Sequence, residues 1–126
     1  MLIKGLDDED FTNYKFPSMF IASTTCDWKC CKESGLPIET CQNCSLAQQP
    51  NIDIPADEIL RRFINNPISK AVVCGGLEPM LQFDEICELI ALFRQYKVDC
   101  DFVLYTGYYE DEIADKIEKL KQFGNI

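Results

Sequence analysis

Residues 70–79 read Lys-Ala-Val-Val-Cys-Gly-Gly-Leu-Glu-Pro, and this stretch decides the fold. The apolar run at 70–74 predicts a strand, and the two glycines after it permit positive φ and a close approach of backbone to a ligand. Glu78 adds a carboxylate that can accept hydrogen bonds from an ammonium group. Parallel sheets bind ligands beyond the carboxyl ends of their strands, so we expect a ligand-binding turn here. The alternative is an ordinary turn between a strand and a helix.

The segments on either side alternate between strand and helix. Two further strands and three helices are predicted, at residues 18–23 and 101–105 and at residues 55–65, 82–96 and 110–122. The helices carry apolar residues three and four positions apart, as amphipathic helices do. This alternation predicts an α/β fold with a parallel sheet and right-handed crossovers. The turn at residues 124–126 stands where a fourth strand would begin, so we expect a truncated version of a larger fold.

The length and charge of the chain narrow its class. Its 126 residues predict a single domain, with an N-terminal extension at 1–17 and a cysteine-rich loop at 24–54. The chain has 21 acidic and 12 basic residues, a net charge of −9. Such a surface repels phosphate backbones and anionic membranes, which argues against nucleic-acid or membrane binding.

The cysteine and histidine counts indicate which kinds of metal or catalytic site the chain can form. Eight cysteines without any export signal in the sequence indicate metal-binding thiolates in a reduced, cytoplasmic setting. Three of these cysteines fall in or beside predicted regular elements and are expected to be small buried thiols: Cys74, Cys87 and Cys100. Histidine is absent, which excludes histidine metal ligands and histidine-dependent catalytic triads.

The loop after the first predicted strand holds the other five cysteines. Cys26 and Cys30 form a C-x3-C pair, Cys31 is adjacent, and Cys41 and Cys44 form a C-x2-C pair. Thiolates at short spacing in one loop can bind a polynuclear iron–sulfur centre. Four of them at these spacings also suit a structural zinc ion. The cysteines alone leave both interpretations open.

Taken with the glycine turn, these motifs resemble the radical S-adenosylmethionine family. The resemblance rests on the C-x3-C pair, on Cys41-Gln42-Asn43, and on the Gly-Gly-Leu-Glu-Pro turn after the second strand. The Tyr105-Thr106-Gly107-Tyr108 turn is similar to one in the activating proteins of anaerobic ribonucleoside-triphosphate reductase. The resemblance spans residues 18–113 and implies a partial (β/α) barrel of parallel strands.

The resemblance also implies a cluster site. In that family three cysteines bind three irons of a 4Fe–4S cluster, and the fourth iron takes the amino and carboxylate groups of S-adenosylmethionine. The residues that would bind the irons here are Cys26, Cys30 and Cys41. Glu33 stands where the family's third cysteine usually lies. Cys31 and Cys44 are therefore alternatives for the third ligand.

A second set of residues would contact the S-adenosylmethionine. The glycine turn holds the methionine amino group in the family, which assigns that role to Gly75, Gly76 and Glu78. Leu77 is an extra residue, since the more frequent form of this turn is Gly-Gly-Glu-Pro. Tyr105 and Thr106, which end the third strand on the same side of the sheet, are expected to contact the cofactor as well.

The implied activity is that of an oxidoreductase that cleaves S-adenosylmethionine to a 5′-deoxyadenosyl radical. By resemblance, this radical would install a glycyl radical on a partner such as anaerobic ribonucleotide reductase. A flavodoxin- or ferredoxin-type protein would supply the electron. Two other interpretations stay open. One is a radical enzyme that acts on a small molecule, and the other is a non-catalytic zinc-binding interaction module.

Overall fold

The computed structural model describes residues 1–27, 33–35, 37 and 44–126. In these residues the strands are β1 (Leu2–Ile3), β2 (Gly5–Asp10), β3 (Ser18–Ala22), β4 (Ile52–Asp53), β5 (Ala71–Gly75) and β6 (Asp101–Leu104). The α-helices are α1 (Cys44–Ala47), α2 (Ala56–Asn65), α3 (Phe83–Gln95) and α4 (Ala114–Lys121). Short 3-10 helices lead into α3 and α4, at Pro79–Gln82 and Glu110–Ile113. The predicted strands and helices are confirmed to within one residue, except that the last predicted helix begins as a 3-10 turn.

The main sheet has the strand order β2-β3-β5-β6, and its last three strands run parallel. Ser18, Ala71 and Asp101 are paired across these strands, so the three strands start in line. They therefore also end at one edge of the sheet, which we name the carboxyl edge: the loops at residues 23–27, 75–79 and 105–108. The partial barrel and the truncation of a larger fold stay predictions.

Strand β2 was not predicted from the sequence. It pairs antiparallel with β3, from Gly5 opposite Ala22 to Asp10 opposite Ser18, inside the segment that we had assigned to an N-terminal extension. Its sequence, Gly-Leu-Asp-Asp-Glu-Asp, has little of the apolar alternation that marks a half-buried strand. The backbone of β3 supplies its hydrogen bonds, which is a tertiary effect that the local pattern does not contain. A second, two-stranded sheet pairs β1 with β4.

The core lies between one face of the main sheet and helices α2, α3 and α4. Phe93 is fully buried at its centre, with ring centroids 5.4 Å from Phe63 and 5.1 Å from Phe102. The sheet contributes residues that alternate along its strands, among them Met19, Ile21, Val72 and Cys74. Helix α2 turns Ile59, Leu60 and Phe63 toward this core, whereas Ile64 is 54% exposed because it lies outside that apolar stripe. No helix in the described part of the chain is long and apolar enough to cross a membrane.

The opposite face of the sheet carries the alternate side chains, including Phe20 and Tyr105, which approach Gly75 from either side. The segment 11–16, between β2 and β3, forms hydrogen bonds at the start of β6 and directly after its end. Tyr14 donates to Asp101 Oδ2 at 2.8 Å, and the hydroxyl of Tyr105 donates to the carbonyl of Asn13. Two side-chain hydrogen bonds therefore tie this segment to β6 and to the residue that follows it.

Candidate functional site

The loops that follow β3, β5 and β6 are hydrogen-bonded to one another. Ser23 N–H donates to the carbonyl of Gly75 at 2.9 Å, and Tyr105 N–H donates to that of Cys74 at 3.0 Å. Glu78 N–H donates to the carbonyl of Thr25 at 2.8 Å, one residue before Cys26. The described part of the cysteine loop therefore meets the glycine turn at the carboxyl edge.

Gly76 is required at the turn by its positive φ and by crowding, whereas a side chain at Gly75 would make only ordinary van der Waals contacts. Gly76 has φ +77°, and a Cβ placed on it would lie 3.0 Å from Leu46 Cδ2 and 3.1 Å from Ala22 Cβ. A Cβ on Gly75 would lie 3.4 Å from the ring of Phe20. Because Leu46 belongs to α1, this contact also places that short helix, which begins at Cys44, beside the carboxyl edge. The backbone turns here without a side chain, and Glu78 is brought back toward Thr25.

Glu78 is the hydrogen-bonding centre of the edge. Its side chain is 5% exposed, and its carboxylate accepts bonds from Met80 N–H at 2.9 Å and Thr106 Oγ1 at 2.8 Å. The other oxygen accepts from Gly107 N–H at 2.9 Å. Within the described part of the chain the carboxylate makes no ion pair. Glu78 and Thr106, both predicted site residues, are therefore in direct contact, and the buried carboxylate has no cationic partner among the described residues.

The tyrosines of the Tyr-Thr-Gly-Tyr turn point in different directions. Tyr105 is 49% exposed, its backbone N–H donates to the carbonyl of Cys74, and its hydroxyl donates to the carbonyl of Asn13. Tyr108 instead donates from its hydroxyl to Asp27 Oδ2, next to Cys26. The sequence did not identify this Tyr108–Asp27 pair. The sequence offered one clue, which is that Asp27 follows Cys26 of the C-x3-C pair and Tyr108 ends the Tyr-Thr-Gly-Tyr turn.

The pKa of Tyr108 is raised to about 12. The largest cause is the hydrogen bond to the Asp27 carboxylate, followed by burial and by the negative charges of Asp27, Glu78 and Cys26. The phenol therefore stays protonated and remains a donor at neutral pH. The same interactions indicate that Tyr108, Glu78 and Cys26 share one electrostatic environment at the carboxyl edge.

The predicted metal ligands are only partly described. Cys26 is half-buried at the carboxyl edge, while Cys30 and Cys41 lie outside the described residues, as does Cys31. Cys44, the other alternative ligand, is a half-buried free thiol at the start of α1. Among the described residues alone, no group of three or more Cys, Asp or Glu side chains is close enough to hold a metal ion. The donor chemistry at this edge is that of thiolates, which suits iron–sulfur centres and zinc.

The family model described as a 4Fe-4S single cluster domain matches residues 20–125. That span begins inside β3 and contains all eight cysteines and the three loops of the carboxyl edge. No curated protein matches the chain.

Proposed function

Since the chain belongs to the family of 4Fe-4S single cluster domains, we propose that it is a radical S-adenosylmethionine protein. In this proposal Cys26, Cys30 and Cys41 hold the cluster beside the carboxyl edge of the sheet. Thiolate sulfur is the ligand that such clusters take, and Cys26 lies where the three loops meet, so the donor chemistry of this edge fits the group.

The buried carboxylate of Glu78 is the observation that carries the proposal. An ionised carboxylate has about four lone-pair sites, and three are used by Met80, Thr106 and Gly107. A buried charge is costly unless it is paired, so a cationic ligand at the remaining site stabilises the edge. The ammonium group of S-adenosylmethionine has the charge and the donors for this role.

The other residues of the edge orient Glu78. Thr106 Oγ1 and Gly107 N–H each hold one carboxylate oxygen, which fixes the plane of the group before a ligand arrives. Gly76, with its φ of +77°, lets the backbone turn so that Glu78 comes next to these two donors. The hydroxyl of Thr106 donates to Glu78, and a contact of Thr106 with the cofactor stays a prediction.

When bound, the reduced cluster and S-adenosylmethionine supply a 5′-deoxyadenosyl radical, which removes hydrogen from an otherwise unreactive C–H bond. We assign this chemistry to the activation of a glycyl-radical enzyme such as anaerobic ribonucleotide reductase, with a flavodoxin or ferredoxin as electron donor. Support for this substrate class comes from the resemblance of residues 105–108 to the activating proteins. This chain's own residues supply binding and electrostatics.

The proposal is tested by anaerobic reconstitution with iron and sulfide, reduction, and EPR spectroscopy with and without S-adenosylmethionine. We expect a 4Fe–4S signal that changes when S-adenosylmethionine is added. Glu78→Gln should keep the signal and need at least about tenfold more S-adenosylmethionine, because a hydrogen bond to a charged group is lost. Glu88→Gln, on exposed helix surface, is the matched control and should behave as wild type.

Two results would contradict the proposal. A cluster signal that does not respond to S-adenosylmethionine leaves an electron-transfer or structural cluster in place of radical chemistry. Bound zinc with no cluster signal instead supports the zinc-binding interaction module.

A further inference from the structure

Cys26 is held in place through the residues on both sides of it. Thr25, before it, accepts a hydrogen bond from Glu78 N–H at 2.8 Å. Asp27, after it, accepts a bond from the hydroxyl of Tyr108. One attachment leads to the loop after β5 and the other to the loop after β6, so the position of Cys26 depends on both strand ends.

The second attachment leads back to Glu78. Tyr108 N–H donates to Thr106 Oγ1 at 3.1 Å, and that hydroxyl donates to Glu78 Oε1 at 2.8 Å. The bonds therefore close a ring that runs from Glu78 through Thr25, Cys26, Asp27, Tyr108 and Thr106. A ring of this kind orders every group in it, because each bond restricts the freedom of the next.

The bond between Tyr108 and Asp27 joins the ends of two side chains, as does the bond between Thr106 and Glu78. Its acceptor is a carboxylate, and bonds of this charge-assisted type are stronger than those between neutral groups. Both side chains are only partly exposed, which limits the access of competing water. The raised pKa of Tyr108 is consistent with a phenol that stays a donor to Asp27.

We propose that Tyr108 is a positioning residue that, through Asp27, holds the Cys26 loop against the ends of β5 and β6 and so fixes Cys26 relative to Glu78. The inference rests on the proposed function, in which Cys26 is a cluster ligand. In this role Tyr108 acts on the cluster through the loop that carries the ligand.

The test compares the reconstituted wild-type chain with Tyr108→Phe and with Tyr96→Phe. Tyr96 is 61% exposed at the end of α3 and provides a control for the loss of a phenol hydroxyl. Two quantities are measured: the rate at which a ferrous chelator removes iron, and the midpoint potential of the cluster. Asp27→Ala and the double variant complete a double-mutant cycle, which isolates the pair from other effects of either change.

We expect Tyr108→Phe to lose iron about tenfold faster than wild type, the effect of one charge-assisted hydrogen bond, and to shift the midpoint potential. Tyr96→Phe should change neither quantity, and the double variant should lose iron no faster than Asp27→Ala. The inference is overturned if Tyr108→Phe has the wild-type potential, even where a lower melting temperature speeds its iron loss.

Failure of the proposed function gives a different result. In that case S-adenosylmethionine leaves the EPR spectrum of the wild-type cluster unchanged. The contrast between Tyr108→Phe and Tyr96→Phe needs no S-adenosylmethionine, so it still decides whether Tyr108 positions the cluster loop.

Discussion

Four of the cysteines that the structure describes lie in two kinds of surroundings. Cys74 is fully buried in β5 and Cys100 is partly buried before β6, and burial raises the pKa of their thiols to about 12 and about 11. Cys26 and Cys44 are half-buried beside polar loops at the carboxyl edge. A thiol binds iron as the thiolate, which the first environment disfavours. Position relative to the strand ends, rather than the number of cysteines, therefore separates structural thiols from candidate ligands.

The largest expected effect comes from replacing one cysteine of each group by alanine and comparing the two variants. Cys26→Ala should lose most of the iron and sulfide that the wild-type chain takes up on anaerobic reconstitution, because a ligand is removed. Cys74→Ala should take up wild-type amounts, since a protonated thiol in the core binds no iron. Iron and acid-labile sulfide per chain are the quantities to measure. If both variants lose the same amount of iron and sulfide, the two groups of cysteines do not differ in cluster binding.

The same measurement decides the third ligand. We expect Cys41→Ala to behave as Cys26→Ala does, and Cys31→Ala and Cys44→Ala to retain the cluster. If Cys44→Ala loses the cluster and Cys41→Ala retains it, the third ligand is Cys44, at the start of α1.

A second prediction contrasts stability with cluster binding. Phe93→Ala should lower the free energy of unfolding by about 3–5 kcal/mol, because a fully buried ring between Phe63 and Phe102 is replaced by a cavity. The iron bound per folded chain should stay at the wild-type value. Urea unfolding measures the first quantity. Phe11→Ala, at a position that is 63% exposed, is the control and should change stability by less than about 0.5 kcal/mol.

Phe93→Leu covers the case in which the alanine variant does not fold. It should show a smaller loss of stability with the same iron content. A core variant that folds stably but binds less iron would mean that the core and the carboxyl edge are not separable.

The parts of the fold that sequence could predict are those with a local cause. Buried runs such as 71–74 and the three- and four-residue spacing of apolar side chains in α3 predict their elements because each pattern reflects one buried face. Strand β2 escaped prediction because its hydrogen bonds come from β3 while its own residues are mostly acidic. The position of segment 11–16 could not be predicted for a similar reason, since its hydrogen bonds are made with Asp101 and Tyr105, far along the chain.

The candidate site divides in the same way. Gly76 and Glu78 were identifiable because the turn motif is contiguous, and parallel topology predicts which loops meet. The bonds of Glu78 to Thr106 and Gly107 join residues 28 and 29 positions apart, and spacing alone does not specify such partners. The same holds for Asp27 and Tyr108, which are 81 positions apart. Contiguous motifs predicted the members of the site, and tertiary structure was needed to show how they are connected.

The smallest predicted effect concerns the pH dependence of stability. The pKa of Cys74 is raised by burial from 9.0 to about 12, so folding favours the protonated thiol. Its contribution to stability is fully present below pH 9 and is lost as the pH rises toward 12, because the unfolded chain ionises first. Between pH 7 and pH 10 the wild-type chain should therefore lose about 1 kcal/mol more unfolding free energy than Cys74→Ala.

Urea unfolding of the cluster-free chain under reducing conditions, at both pH values, measures this difference. The cavity left by Cys74→Ala lowers stability equally at the two pH values and cancels from the comparison. Val72→Ala, in the same buried strand, is the matched control and should keep the pH dependence of wild type, since it removes buried volume without a titrating group. If Cys74→Ala and wild type respond identically to pH, the Cys74 thiol is not held protonated by the core. The contrast between core and edge cysteines would then rest on geometry alone.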